Sequence, residues 1–180
     1  MSDVKLGLGN ATGMFYHAPA GTALPTLGET PSSTWKLVGD VTDAGITLAL
    51  NKSVTNLKNW ANKIKRAILT DHSETVQSPI MDTTEESLKT VVGSKNVTVS
   101  NNIIQVNLSD TDLPAQEAYL WLMKDGNDLM GIGCTNGQIT AIDNVSFAPN
   151  NAINWTPTIT AMGDGFKFLS GPTGATGATS

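Results

Sequence analysis

In 180 residues the sequence holds one cysteine, Cys134, and one arginine, Arg66. A lone cysteine excludes an intrachain disulfide framework, and its ordinary reading is a small buried hydrophobe. Charged residues make up only 15% of the chain. That is well under the usual quarter. With a formal net charge of −5 and few clustered cations, the chain is not built to grip nucleic acid. The two histidines, His17 and His72, fall on different segments, with no cysteine or acidic partner at metal-ligand spacing. No apolar run approaches the roughly 18 residues that a membrane span needs. The first residues, "MSDVKLGLGNATG", lack the charged-then-apolar order of a signal peptide.

Catalytic and cofactor motifs are equally scarce. "GLGNATG" and "GIGCTNG" share the form G-x-G-x-x-x-G. The first follows no strand and the second is read as crossing a hairpin, so neither fits a dinucleotide fingerprint. "DGND", residues 125–128, lacks the ligand order of a calcium loop. No serine stands in a nucleophile-elbow context. The residues predict a protein without a cofactor, a metal site or an enzymatic activity.

What remains is a chain rich in Thr, Asn, Ser and Gly, with a strand-like pattern. Residues 1–13 read as a flexible Gly-rich arm, 14–169 as one β domain, and 170–180, "SGPTGATGATS", as a flexible tail. "MFYHA" is a first strand, and 19–34 form a long loop with three prolines. Strands follow near 35–38 and 46–50. Residues 51–69 are ambiguous, because Leu57, Trp60, Ala61, Ile64 and Ile68 would line a helical face while "IKRAILTD" alternates like a strand. "ETVQSPIM" reads as another strand. Residues 83–92 carry the clearest helix signal. Asp82, Thr83 or Thr84 can cap it, Glu85 and Glu86 sit in its first turn, and Gly93 stops it. From residue 96 the chain reads as strands, with hairpin turns at Asp125-Gly126 and Asn136-Gly137 and a last strand at 166–169. The fold class is therefore mainly β, an antiparallel sandwich or barrel-like body with one flanking helix and a long loop at about 51–66.

Charge placement singles out that loop. Five of the 11 basic residues, Lys52, Lys58, Lys63, Lys65 and Arg66, fall between 52 and 66. A solvated loop is the plain reading. A basic projection that pairs with an acidic surface on another copy of the chain is the sharper one. Trp60 and Ile64 would supply the apolar part of such a contact.

Three stretches, "WKLVGDVTDAGI", then Trp60 with Arg66 leading into "AILTDHSETVQSPIMD", then "TTEESLKTVVG", occur in an order that resembles the major tail proteins of long, non-contractile-tailed bacteriophages. The forms from phages of actinobacteria are the most similar. Asp82 stands where that family often has Glu. The resemblance implies a structural virion protein of the phage tail, assembled in the host cytoplasm. Its hexameric rings would stack into a tube around a tape-measure protein, closed by tail terminator and tip proteins. Double-stranded DNA would pass through without specific binding, and no membrane would be involved. The segment 51–66 would match the long loop that family members extend to the neighbouring ring, mobile in the monomer and ordered in the tube. The lumen would be lined by polar strand faces within 96–169, with Asp110, Asp112, Asp125 and Asp128 as candidate wall acids. The alternative from the residues alone is a carbohydrate-binding β-sandwich that stacks sugars on Trp60 or Trp155.

Overall fold

The computed structural model describes residues 5–9, 14–109 and 112–172. Its main sheet is antiparallel and nine-stranded: β1 (Leu8–Gly9), β2 (Phe15–Pro19), β3 (Lys36–Gly39), β4 (Thr47–Lys58), β5 (Ile64–Gln77), β8 (Glu117–Asp125), β9 (Asp128–Ile142), β10 (Pro157–Ala161) and β11 (Lys167–Pro172). The helix α1 (Glu85–Val92) and a small hairpin, β6 (Val97–Ser100) with β7 (Ile103–Val106), complete it. The spatial order is β3-β2-β8-β9-β10-β5-β4. β1 continues alongside β8 beyond β2, and β11 continues alongside β9 beyond β10.

β8, "EAYLWLMKD", is apolar from Ala118 to Met123 because both of its faces are covered there. On one face Tyr119 and Trp121 join Phe15, Val76, Ile80, Ile132, Ile139 and Ile159 in the main core, closed by Leu88 and Val91 of α1. Phe15 and Trp121 stack in parallel with ring centroids 4.8 Å apart, and the Trp121 indole N–H donates to Ser78 Oγ at 2.9 Å. On the other face Ala118 and Leu120 pack with Tyr16, Ala18 and Trp35 under the 20–35 segment.

The helix forms where its caps put it. Thr84 is the N-cap, its hydroxyl accepting from Ser87 N at 3.2 Å while Ser87 Oγ accepts from Thr84 N at 2.8 Å. The hairpin expected at Asp125-Gly126 is present: Asp125 pairs with Asp128 and the two-residue turn Gly126-Asn127 joins β8 to β9, with Gly126 at φ +56°.

Three sequence expectations need correction. Residues 51–58 and 64–66 are not loop, because the β4–β5 ladder runs through them with only 59–63 left as the turn. Asn136-Gly137 is no hairpin turn either, since both lie inside β9. The register there slips from Glu117↔Gly137 to Tyr119↔Cys134, which is a bulge. A Cβ on Gly137 would lie 2.9 Å from Cys134 Sγ and 3.0 Å from Tyr119 Cδ2, so close packing is what requires glycine. The turn that uses two positive φ values is Asn101-Asn102, at +50° and +61°, between β6 and β7. Finally, the last strand runs on to Pro172. Of the expected N-terminal arm, residues 1–4 and 10–13 lie outside the described residues, as does 173–180 of the tail.

Candidate assembly surface

Every residue from 50 to 72 is exposed. β5 pairs with β10 only through Thr75, Val76 and Gln77, so past that point β4 and β5 form a lone two-stranded arm. At roughly 3.3 Å per residue, the strand residues of β4 past Leu50 reach about 25 Å. A free two-stranded hairpin is at best marginally stable in water. Its composition matters for that reason.

Cross-strand partners share a face. Val76, fully buried, pairs with Leu48, and this face of the ribbon is continuous with the core. Outward along the same face come Leu50, Lys52, Val54, Asn56 and Lys58 from β4. Their partners on β5 are Glu74, His72, Leu69, Ala67 and Ile64. Register shifts at Ser53/Val54 and Leu57/Lys58 insert extra residues in β5. Without the first of them, Thr70 would stand where Leu69 does, opposite Val54. The core-facing stripe thus carries Leu50, Val54, Leu69, Ala67 and Ile64 out along the arm, interspersed with Lys52, Asn56, Lys58 and His72, with nothing over it among the described residues. Leu50 is 59% exposed, Leu69 55% and Ile64 57%. At the tip Trp60 is fully exposed, above a turn in which Asn62 takes φ +59° and Asn59 Oδ1 accepts from Lys63 N at 2.9 Å.

Between residues 50 and 72 the arm carries Lys52, Lys58, Lys63, Lys65 and Arg66 against one acid, Asp71, with Glu74 at its base. Among the described residues none of these five cations has an ion-pair partner. In the body, by contrast, Lys5 pairs with Asp128 at 2.9 Å, Lys36 with Glu86 at 3.3 Å and Lys95 with Asp112 at 2.8 Å. The structure therefore brings Lys52, Lys58, Trp60, Lys63, Ile64, Lys65 and Arg66 onto one projection. It does not bring the three described candidate wall acids, Asp112, Asp125 and Asp128, together. Asp125 and Asp128 flank the β8–β9 turn, where Asp125 Oδ2 accepts from Leu6 N at 2.9 Å and Asp128 holds Lys5. Asp112 lies in a different segment beside Lys95. Asp110 lies outside the described residues. Trp155 is buried and its indole N–H points to Thr83 Oγ1 at 3.4 Å, so it offers no stacking face.

A polar cluster that sequence spacing did not reveal joins three elements. The nearly buried ring of His17 on β2 has Nδ1 2.9 Å from Glu117 Oε2 on β8 and Nε2 2.9 Å from Glu86 Oε1 on α1. Carboxylates at both nitrogens call for a ring that carries both protons. Burial opposes that charge, but the hydrogen bonds and charges of Glu117 and Glu86 outweigh it and raise the His17 pKa. The Glu86 carboxyl is desolvated too, yet His17 and Lys36 hold it below its usual value. Buried Cys134 has its thiol pushed up to about 11, as an inert core residue would. No three His, Cys, Asp or Glu side chains among the described residues are placed to share a metal ion. No helix among them is long and apolar enough to cross a membrane.

The model of a family described as phage tail tube protein matches residues 8–168. Among solved structures, a chain in the virion of a native gene transfer agent particle is similar at 9% identity and TM-score 0.44, over 89% of this chain and 98% of that one. A chain in the tail of an empty gene transfer agent particle, refined with C6 symmetry, is similar at 10% identity and TM-score 0.45, over the same 89% and 98%. No curated protein matches the sequence.

Proposed function

Because the chain belongs to the phage tail tube protein family and is a structural component of a virion tail, we propose that its copies close into six-membered rings that stack into a hollow tube. The arm supplies the contact between rings. A tape-measure protein occupies the bore during assembly, terminator and tip proteins close the ends, and DNA later passes through without being held. The protein does this as a building block, without catalysis.

The observation that carries this reading is the bare run of Leu50, Val54, Leu69 and Ile64 along the arm, continuous with the core face and interspersed with the cations Lys52 and Lys58. Apolar surface of this kind is worth about 25 cal/mol per Å² when covered. Two more or less rigid partners covering it repeatedly along an axis build a polymer rather than a closed pair. DNA transit asks for the opposite surface. Each phosphate gripped by Lys or Arg adds to a salt-sensitive affinity that must be broken at every step. Placing five cations on the arm leaves only Lys124 and Lys167 as cations beyond residue 96, where the wall strands are expected.

The test is to replace residues 54–70 by Asn-Gly, joining the cross-strand partners Ser53 and Asp71 through a two-residue turn. The shortened chain is expected to fold and to form no tubes under electron microscopy, where the full chain forms them. Normal tubes from the shortened chain would remove the arm from the ring contact. A map of the full tube with Lys52, Lys58, Lys63, Lys65 and Arg66 lining the bore would overturn the passive-conduit reading.

A further inference from the structure

The arm leaves the body at one place. β5 is paired on both sides at Thr75, Val76 and Gln77, by β4 and by β10. Glu74 is the first residue outward that pairs with β4 alone, opposite Leu50. A two-stranded ribbon joined to a sheet only at its foot twists and swings there unless something braces it. Glu74 shares the core face with Val76, and its carboxylate turns back to the body. Oε2 accepts from the backbone N–H of Phe166 at 2.6 Å, just past the turn that joins β10 to β11. Oε1 lies 3.4 Å from Nε2 of His72, the next residue outward on the same face. Gly165 makes room for the carboxylate, since a Cβ there would stand 2.7 Å from Oε2. The Glu74 side chain is 19% exposed, while Leu50 opposite it is 59% exposed. Among the described residues no other side-chain hydrogen bond or ion pair ties residues 50–74 to the body.

We infer that Glu74 is a positioning residue for assembly, which fixes the direction of the arm by tying its foot to the β10–β11 turn. The inference rests on the arm being the contact between rings, and it names what aims the arm. A solvating carboxylate would face water. This one is drawn against the backbone where the ladder to β10 ends, in a hydrogen bond strengthened by its charge. Direction matters because the arm is long. A swing of about 20°, no more than the ordinary twist between neighbouring strands, moves the end of a ribbon about 25 Å long by roughly 9 Å. Contacts repeated along an axis need the same angle in every copy, and an arm left free to swing loses that freedom at each contact.

The test attaches spin labels to cysteines in Ala61→Cys and Lys124→Cys, one at the tip of the arm and one at the exposed end of β8. Buried Cys134 takes no label. Label-to-label distances are read in frozen monomer by electron paramagnetic resonance, and tube yield is read from the unlabelled chain. Glu74→Ala is expected to keep the near-ultraviolet circular dichroism of the body, to roughly double the width of the distance distribution, and to lower tube yield about tenfold. Glu74→Gln, whose amide oxygen still accepts from Phe166 N, is expected to restore both readings. A native width in Glu74→Ala would overturn the brace and leave the arm contact standing. A broadened distribution with full tube yield would overturn its role in assembly. Failure of Glu74→Gln to restore either reading would overturn the hydrogen bond as the cause. Normal tubes from the chain shortened at 54–70 would instead remove the arm from the ring contact, whatever the labels show.

Discussion

Trp121 and Trp60 show how differently the body and the arm are built. Trp121 has no exposed surface, stacks on Phe15 and donates its N–H to Ser78. Trp60 is wholly exposed and has nothing stacked on it. The same division runs through the charges. Four of the body's six lysines, Lys5, Lys36, Lys89 and Lys95, lie against a carboxylate, while among the described residues none of the arm's five cations does. It runs through the aliphatic residues too, with Val76 buried where β5 is in the body and Leu69 and Ile64 exposed a few residues on. The body pairs most of its lysines and packs its largest rings, Trp121, Tyr119 and Phe15, inside itself. A segment that leaves both its apolar and its charged groups unsatisfied, on a regular ladder with deliberate bulges, is shaped for a surface outside the chain.

The largest break in this comparison comes from exchanging the two tryptophans for alanine. Trp121→Ala leaves a cavity beside Phe15 and an unpaired Ser78 hydroxyl, and is expected to cost about 3–5 kcal/mol in urea unfolding. Trp60→Ala is expected to leave the unfolding midpoint of the monomer unchanged and to lower tube yield sharply. If Trp60→Ala destabilised the monomer comparably, the tip would be part of the body's own packing and the contrast would fail.

A smaller effect sharpens the contrast at the level of a single methyl group. A Cβ on Gly133 would sit 2.7 Å from the Tyr119 carbonyl oxygen and 2.8 Å from Leu24 Cδ2. The carbonyl belongs to the paired strand β8 and cannot step aside. Gly133→Ala is therefore expected to cost about 1–3 kcal/mol, as overpacking does. Ala67→Val, an enlargement on the exposed stripe of the arm, is expected to leave the midpoint where it was. Equal shifts from the two would mean that the arm is packed as tightly as β9.

How far the sequence could be read follows from the same division. The helix was legible because Thr84, Glu85, Glu86 and Gly93 act within a few residues of one another. The Asp125-Gly126 turn was legible for the same reason. Asn136-Gly137 misled, because its glycine answers to Tyr119 and Ile159, neighbours distant in the chain, and not to a turn. The strands of the arm were hidden twice over. Asn, Ser, Thr and Lys occupy a ribbon that is wet on both faces, and the register shifts flip the alternation partway along. Its charge cluster and its apolar tip were visible, and they located the candidate surface before its shape was known.

The smallest expected effect concerns pH and belongs to the body alone. His17 fastens α1 to β2 and β8 only while its ring holds both protons. Below the ordinary histidine value of 6.5 the ring is charged in the folded and the unfolded chain alike, and its ion pairs contribute in full. As pH rises past 6.5 the unfolded chain gives up its proton first, and the contribution shrinks until it is gone above the raised native value. Glu86 works from the other side. Its lowered pKa adds stability above 4.5 that is lost as pH falls through the native value. The cluster is therefore at full strength between 4.5 and 6.5. His17→Gln keeps a polar side chain that does not titrate. The difference in urea midpoint between the native chain and this variant is expected to peak in that window and to narrow as the solution is made alkaline. A difference that widened with rising pH would mean that His17 is held neutral. In the arm, which makes no contact with this cluster, Trp60→Ala is expected to leave the whole pH profile of the monomer in place.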